Sequence, residues 1–140
     1  MTLVLPSDDR EFLDEKGLKP ELVEEPVPGG TIRRGVIFPQ FRLPRPLYIP
    51  TPNGLVGAEV CKLYVEIPQG YAVTKLDSFY TAPRLKNSSG SDPNCATGEV
   101  AMYGETWQFW SRHLENSDWR PGIDGLRTYL AYIVEELRKA

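Results

Sequence analysis

The sequence predicts an α+β domain, and three observations predict it. Apolar residues recur at helical spacing near the C-terminus, side chains alternate strictly in mid-chain, and 13 prolines with 12 glycines demand many turns. The chain has 140 residues, a length that fits a single domain over residues 1–140 with its own core. Hydrophobic residues make up 41% and charged residues 25%, ordinary globular usage that excludes a wholly disordered chain.

Residues 1–30 read as an acidic helix followed by a linker. Asp8 can cap the backbone with Glu11 three residues on, Phe12 and Leu13 supply an apolar side, and Gly17 can end the helix. Residues 21–30 then read as linker, with a turn at Pro28-Gly29-Gly30. Val36, Ile37 and Phe38 predict a strand, and Leu47, Tyr48 and Ile49 a short edge strand bounded by prolines. The clearest strand is residues 60–67. Cys61, Leu63, Val65 and Ile67 share one face and Lys62, Tyr64 and Glu66 the other, the pattern of a half-buried antiparallel strand. It stops at Pro68-Gln69-Gly70, and another strand near residues 77–81 stops at Pro83. Residues 84–110 read as an extended loop region that opens on a polar run. Ile123, Leu126, Leu130, Ile133 and Leu137 then predict a helix that buries its apolar face against the strands. Asp124 falls in its first turn, where the helix dipole favours an acid. Helix, antiparallel strands, long loop and helix, in that order, give the α+β class.

Charge and composition narrow the function classes. The net charge of −3 argues against nucleic acid as a partner. Acids concentrate in residues 1–30, eight against three bases. No apolar run approaches the roughly 20 residues of a membrane span. Residues 1–6 are too short and uncharged for a secretory signal, so a cytoplasmic domain is expected. Two cysteines and one histidine, far apart, make neither a disulfide framework nor a metal site. No glycine-rich phosphate loop is present, and no cofactor is expected.

Few residues remain to carry chemistry. Cys61 lies on the apolar face of its strand and reads as core. Cys95 lies in a loop after Asp92-Pro93-Asn94, where a thiolate could act. His113, the single histidine, follows Ser111 by two residues and could serve as its general base. Trp107, Trp110 and Trp119 read as packed core.

The order of these signals resembles the ubiquitin-conjugating enzymes. Ile67-Pro68-Gln69-Gly70-Tyr71 is followed by Phe79-Tyr80-Thr81, then Asp92-Pro93-Asn94, then Trp119-Arg120-Pro121 leading into the last helix. In that superfamily a strand ends in proline with a tyrosine shortly after, a His-Pro-Asn loop precedes the catalytic cysteine, and Trp-x-Pro opens onto a long helix. The segment Trp107-Gln108-Phe109-Trp110-Ser111-Arg112-His113 is similar to the bacterial branch known as prokaryotic family E. The resemblance implies a four-stranded antiparallel meander between an N-terminal and a C-terminal helix. It also implies two partners, a ubiquitin-like protein and a ThiF-like activating enzyme.

The departures from that pattern define the chemical question. Eight residues before Trp119 stands Ser111 rather than cysteine, and Asp92 stands where the loop histidine would be. Sixteen residues separate Asn94 from Ser111, an insertion relative to the eukaryotic enzymes. A cysteine thiol, with pKa about 8.5, needs little help, whereas a serine hydroxyl needs a base, and His113 is the natural one because imidazole is the side chain suited to take a proton at neutral pH. Asn94, if it keeps the family role, would donate to the oxyanion, a contact worth about 3 kcal/mol. Two enzyme readings stay open, an oxyester on Ser111 or a thioester on Cys95. A non-catalytic variant of the fold, which binds a ubiquitin-like protein or scaffolds the activating enzyme, is the alternative from another class.

Overall fold

The computed structural model describes residues 3–140, with Asn116 by its backbone alone, so the first two residues of the 1–6 stretch lie outside the described residues. Helix α1 (Ser7–Lys16) precedes strands β1 (Glu21–Pro26), β2 (Ile32–Thr51), β3 (Gly54–Glu66), β4 (Phe79–Ala82), β5 (Gly98–Met102) and β6 (Glu105–Trp110). A 3-10 turn (Asn116–Asp118) and helix α2 (Leu126–Arg138) complete the chain. The class is α+β, and the six strands form one antiparallel sheet in the order β1-β2-β3-β4-β6-β5.

Six strands replace the four expected, since β1, β5 and β6 are added and two expected segments merge into β2. Strand β1 occupies the stretch read as linker, and the β5–β6 hairpin occupies the end of the 84–110 stretch read as loop. Both β1 and β5 are sheet edges with largely exposed or half-buried side chains. An edge strand takes its hydrogen bonds from one neighbour and needs little apolar pattern of its own, so its sequence says little. The two short segments around Ile37 and Tyr48 are one strand. Register shifts between Phe38 and Phe41 and between Arg42 and Leu47 absorb Pro39, Pro44 and Pro46.

The main core lies between the sheet and the two helices. Cys61, Leu63, Val65 and Ile67 of the alternating strand meet Leu126, Tyr129, Leu130, Ile133 and Leu137 there. Trp110 and Trp119 belong to this core, as their sequence context suggested. Burial pushes the Cys61 thiol up to about 12, so it remains a protonated, inert filler. The opposite face of β3 is solvated only in part, since Lys62 is exposed while Tyr64 is buried. Tyr64, Tyr80 and Trp107 form a second cluster, because the curled sheet brings the β5–β6 turn over it. The Tyr64 and Tyr103 hydroxyls are 2.9 Å apart, and the Tyr103 N–H donates to the Glu25 carboxylate at 3.1 Å. Among the described residues no helix is long and apolar enough to cross a membrane.

The helix ends differ from expectation in an informative way. Gly17 ends α1 in the left-handed conformation, φ 65°, as its position predicts. At the other end α1 starts from Pro6 without a side-chain cap, and Asp8 lies in its first turn. Ile123 lies before α2 and is 66% exposed, so it is not part of the buried helical face. The α2 N-terminus is served from far away in sequence. Asp9 of α1, buried, accepts the Leu126 N–H at 3.0 Å and the Tyr71 hydroxyl at 2.6 Å. Gly125 permits this approach, since a Cβ there would sit 2.5 Å from Asp9 Oδ1.

Asp124 closes the preceding turn and makes it pH-sensitive. Its buried carboxylate accepts from the Arg120 guanidinium at 2.9 and 3.2 Å, the Arg120 N–H at 2.7 Å and the Thr128 hydroxyl at 2.9 Å. The Arg120 side chain first, then its N–H and Thr128, holds the carboxyl well below the usual carboxylate range. A depressed folded-state pKa stabilises the fold above the unfolded value of about 3.9, and that stability is lost as pH falls below it. Asp124→Asn should lower the thermal midpoint at pH 7 and flatten its fall between about pH 4 and 2. Thermal melts of both proteins across that window check it, and parallel pH profiles would refute it.

Candidate functional site

The residues singled out in the sequence gather at one place. Asn94, Cys95, Ser111 and His113 line an open depression of about 400 Å³, together with Arg112, Tyr132, Glu136 and Lys139. Three segments build it. These are the turn at residues 93–96, the chain leaving β6 at Ser111, and the last two turns of α2.

The turn is pinned from several directions. The Ala96 N–H closes on the Pro93 carbonyl at 3.0 Å, and Cys95 takes a left-handed conformation, φ 61°. That backbone is uncommon for a residue with a Cβ and persists where surrounding contacts impose it. The contacts are on hand. The Ser111 N–H donates to the Cys95 carbonyl at 2.7 Å. Arg112 donates to the Asn94 carbonyl at 2.8 and 3.1 Å and to the Glu136 carbonyl at 2.6 Å, so it ties the turn to α2. Its guanidinium also lies 5.2 Å from the Trp110 ring centroid. Beneath the turn the buried Gln108 amide donates to the carbonyls of Ala96 (2.9 Å) and Leu85 (3.0 Å) and accepts the Leu85 N–H (2.9 Å). This fixed backbone leaves the Cys95 side chain exposed, a free thiol beside Ser111, which is exposed as well.

His113 is held by an acid. Its Nδ1 lies 3.1 Å from Asp77 Oδ2, and Lys75 Nζ lies 3.5 Å from the other carboxylate oxygen. A carboxylate at Nδ1 favours the tautomer with the proton there and leaves Nε2 free to accept. Among the described residues no hydrogen bond joins the Ser111 hydroxyl to His113, although the pair share a depression. Burial first, then the neighbouring Glu136 carboxylate, pushes the Tyr132 phenol up to about 12. It therefore stays protonated at neutral pH.

Asp92 has a structural task. It pairs with Arg84 at 2.8 Å and Lys86 at 2.9 Å, and the Lys86 hydrogen bond first, then Arg84, lowers its pKa. Arg84 in turn reaches the Thr97 carbonyl at 3.2 Å and the Glu99 carboxylate at 2.8 Å. These bonds brace the segment that leads into β5, and Asp92 is not among the lining of the depression.

Sequence reasoning missed Asp77, Gln108, Arg112, Glu136 and Lys139. Arg112 stood inside the Trp-Ser-Arg-His segment, and its place between two flagged residues was the available signal. Glu136 in the last turn of α2 and Lys139 at its C-cap are three residues apart and read as an ordinary solvated helix face. Nothing local could connect Asp77 or Gln108 with the turn.

The family model for "Prokaryotic E2 family E" matches residues 5–140. No curated protein and no solved structure matches the chain. A match from the first helix to the last residue, over an α+β fold with a curled antiparallel sheet and two helices, shows that the chain belongs to prokaryotic E2 family E, a ubiquitin-conjugating-like family.

Proposed function

We propose that the chain is the conjugating enzyme of a bacterial ubiquitin-like modification system. It accepts the C-terminal acyl group of a ubiquitin-like protein from a ThiF-like activating enzyme as an oxyester on Ser111. The Ser111 hydroxyl attacks the carbonyl carbon of the incoming thioester, a C–O bond forms, and the thiolate of the activating enzyme leaves. His113, oriented by Asp77, takes the hydroxyl proton at Nε2 on approach to Ser111, as a general base held by a third group does. The Asn94 side chain, exposed at the rim, donates to the oxyanion. The observation that carries this reading is the convergence of Asn94, Cys95, Ser111 and His113 on one depression.

A second reading moves the nucleophile to Cys95, and a specific feature favours it. The Cys95 thiol is exposed in the same depression, on a turn clamped in an uncommon conformation. The experiment that decides is incubation with the activating enzyme, ATP and the ubiquitin-like protein. An oxyester adduct survives thiol reductant and yields to strong base, whereas a thioester is lost to the reductant. No adduct with the cognate partners would leave the non-catalytic binding or scaffold reading.

Docking of the activating enzyme is proposed to use the acidic α1. Asp8 and Glu11 are exposed, whereas Asp9 is committed to the α2 N-terminus. Reversing Asp9 would damage the fold, so the test uses Asp8→Lys with Glu11→Lys. This pair should weaken binding to the activating enzyme about tenfold at low ionic strength, with the difference shrinking as salt rises. Equilibrium titrations at two salt concentrations check it, and affinity indifferent to both changes would move the interface elsewhere.

A further inference from the structure

The depression holds an amine as well as the candidate nucleophiles. Lys139 Nζ lies 2.9 Å from Glu136 Oε2, and both residues line the depression beside Ser111 and Cys95. Lys139 is the single lysine among its lining residues. Its side chain is 69% exposed while that of Glu136 is 14% exposed, so an ammonium head is held at the rim by a carboxylate fixed in the wall. Glu136 is itself braced, since Arg112 bonds its carbonyl at 2.6 Å and sits 4.0 Å from its carboxylate. Other lysines near the site are engaged elsewhere. Lys75 donates to the Leu114 carbonyl, and Lys86 pairs with Asp92 at 2.9 Å.

We infer that Lys139 is an acceptor for the acyl group carried in this depression, so that the chain modifies itself at its C-terminal turn. The inference rests on the conjugating reading above and adds a modification site to it. Glu136 takes one proton from the Lys139 ammonium, and the amine lone pair attacks the acyl carbon of the ester on residue 111. The N–C bond forms and the C–O bond to Ser111 breaks. The second amine proton returns to the Ser111 oxygen, and the products are an isopeptide on Lys139, a free hydroxyl and one proton released to solvent. Holding amine and ester in one small depression makes the transfer effectively unimolecular, which is the main source of acceleration in such reactions. The adduct on Lys139 would crowd the depression and slow further transfer.

The test installs the acyl group chemically. A chain carrying Ser111→Cys and Cys95→Ala has one reactive thiol, because buried Cys61 stays protonated. Exchange with a Gly-Gly peptide thioester acylates residue 111. Hydroxylamine then strips thioesters and leaves amides, which peptide mass mapping locates. The expected result is a hydroxylamine-resistant acyl group on Lys139, at least tenfold above any other lysine, formed at a rate independent of protein concentration. Adding Lys139→Arg should remove it and prolong the thioester. Acylation spread evenly over the lysines, or a thioester that hydrolyses without forming an amide, would overturn the assignment. Because no activating enzyme or modifier is used, such a failure counts against Lys139 alone, and the loading reading is judged separately by its own adduct assay.

Discussion

Ser111→Ala is expected to abolish the covalent adduct between this chain and its ubiquitin-like protein, while Cys95→Ala spares it. The expectation follows from chemistry and not from packing, since Ser111 is exposed and its N–H, which holds the Cys95 carbonyl at 2.7 Å, is unchanged by the substitution. Ser111→Cys should restore an adduct that reductant now cleaves, because only the attacking atom differs. His113→Ala should slow loading of the wild-type serine by about a hundredfold, the lower range for a lost general base. The same change in the Ser111→Cys background should matter far less, because a thiol with pKa about 8.5 ionises without assistance. That contrast separates a base from a residue that merely supports the loop. Binding of the modifier, measured separately, should be unaffected by His113→Ala. A wild-type adduct that dithiothreitol removes, and that Cys95→Ala prevents, would sink the serine assignment and promote Cys95.

Gln108→Leu is expected to cost about 3–5 kcal/mol of stability, the largest effect of any single polar residue named here. The leucine matches the size of the amide but strands the Leu85 N–H and the Leu85 carbonyl in a buried setting, at about 1–3 kcal/mol each when unsatisfied, and leaves the Ala96 carbonyl only the Arg84 guanidinium at 3.5 Å. It also removes the acceptor of the Thr81 hydroxyl, which itself accepts the Trp110 indole N–H at 2.8 Å. The damage should reach the site, because Ala96 closes the turn that carries Cys95. Denaturant unfolding should show the loss of stability. Hydrogen exchange should show faster exchange of the Ser111 and Ala96 amides under conditions where the core of α2 remains protected. A loss below about 1 kcal/mol would mean that solvent replaces the amide and that the turn is held from above, by Arg112, alone.

The sequence by itself determined the elements whose own side chains drive them. Alternation of Cys61, Leu63, Val65 and Ile67 marked β3, and the spacing of Leu126, Leu130, Ile133 and Leu137 marked α2, because those patterns are the buried faces themselves. Gly17 marked the end of α1 for an equally local reason, its left-handed backbone. The ordered punctuation from Pro68 to Trp119 was enough to indicate the family, and it singled out Asn94, Cys95, Ser111 and His113 as residues worth attention. Only the tertiary structure decided what depends on distant partners. Strands β1 and β5 exist because a neighbour offers a backbone edge, so their weak patterns carried no signal. Asp9 resembled any solvated acid until 117 residues of chain folded back to bring the Leu126 N–H to it. Asp92 became a brace for the segment leading into β5 only once Arg84 and Lys86 closed on it. The depression itself joins residues 94 and 95, 111 to 113 and 132 to 139, three segments whose meeting is set by sheet order and helix packing. Local sequence encodes propensity and periodicity, while which side chains share a surface is fixed by contacts between segments far apart in the chain.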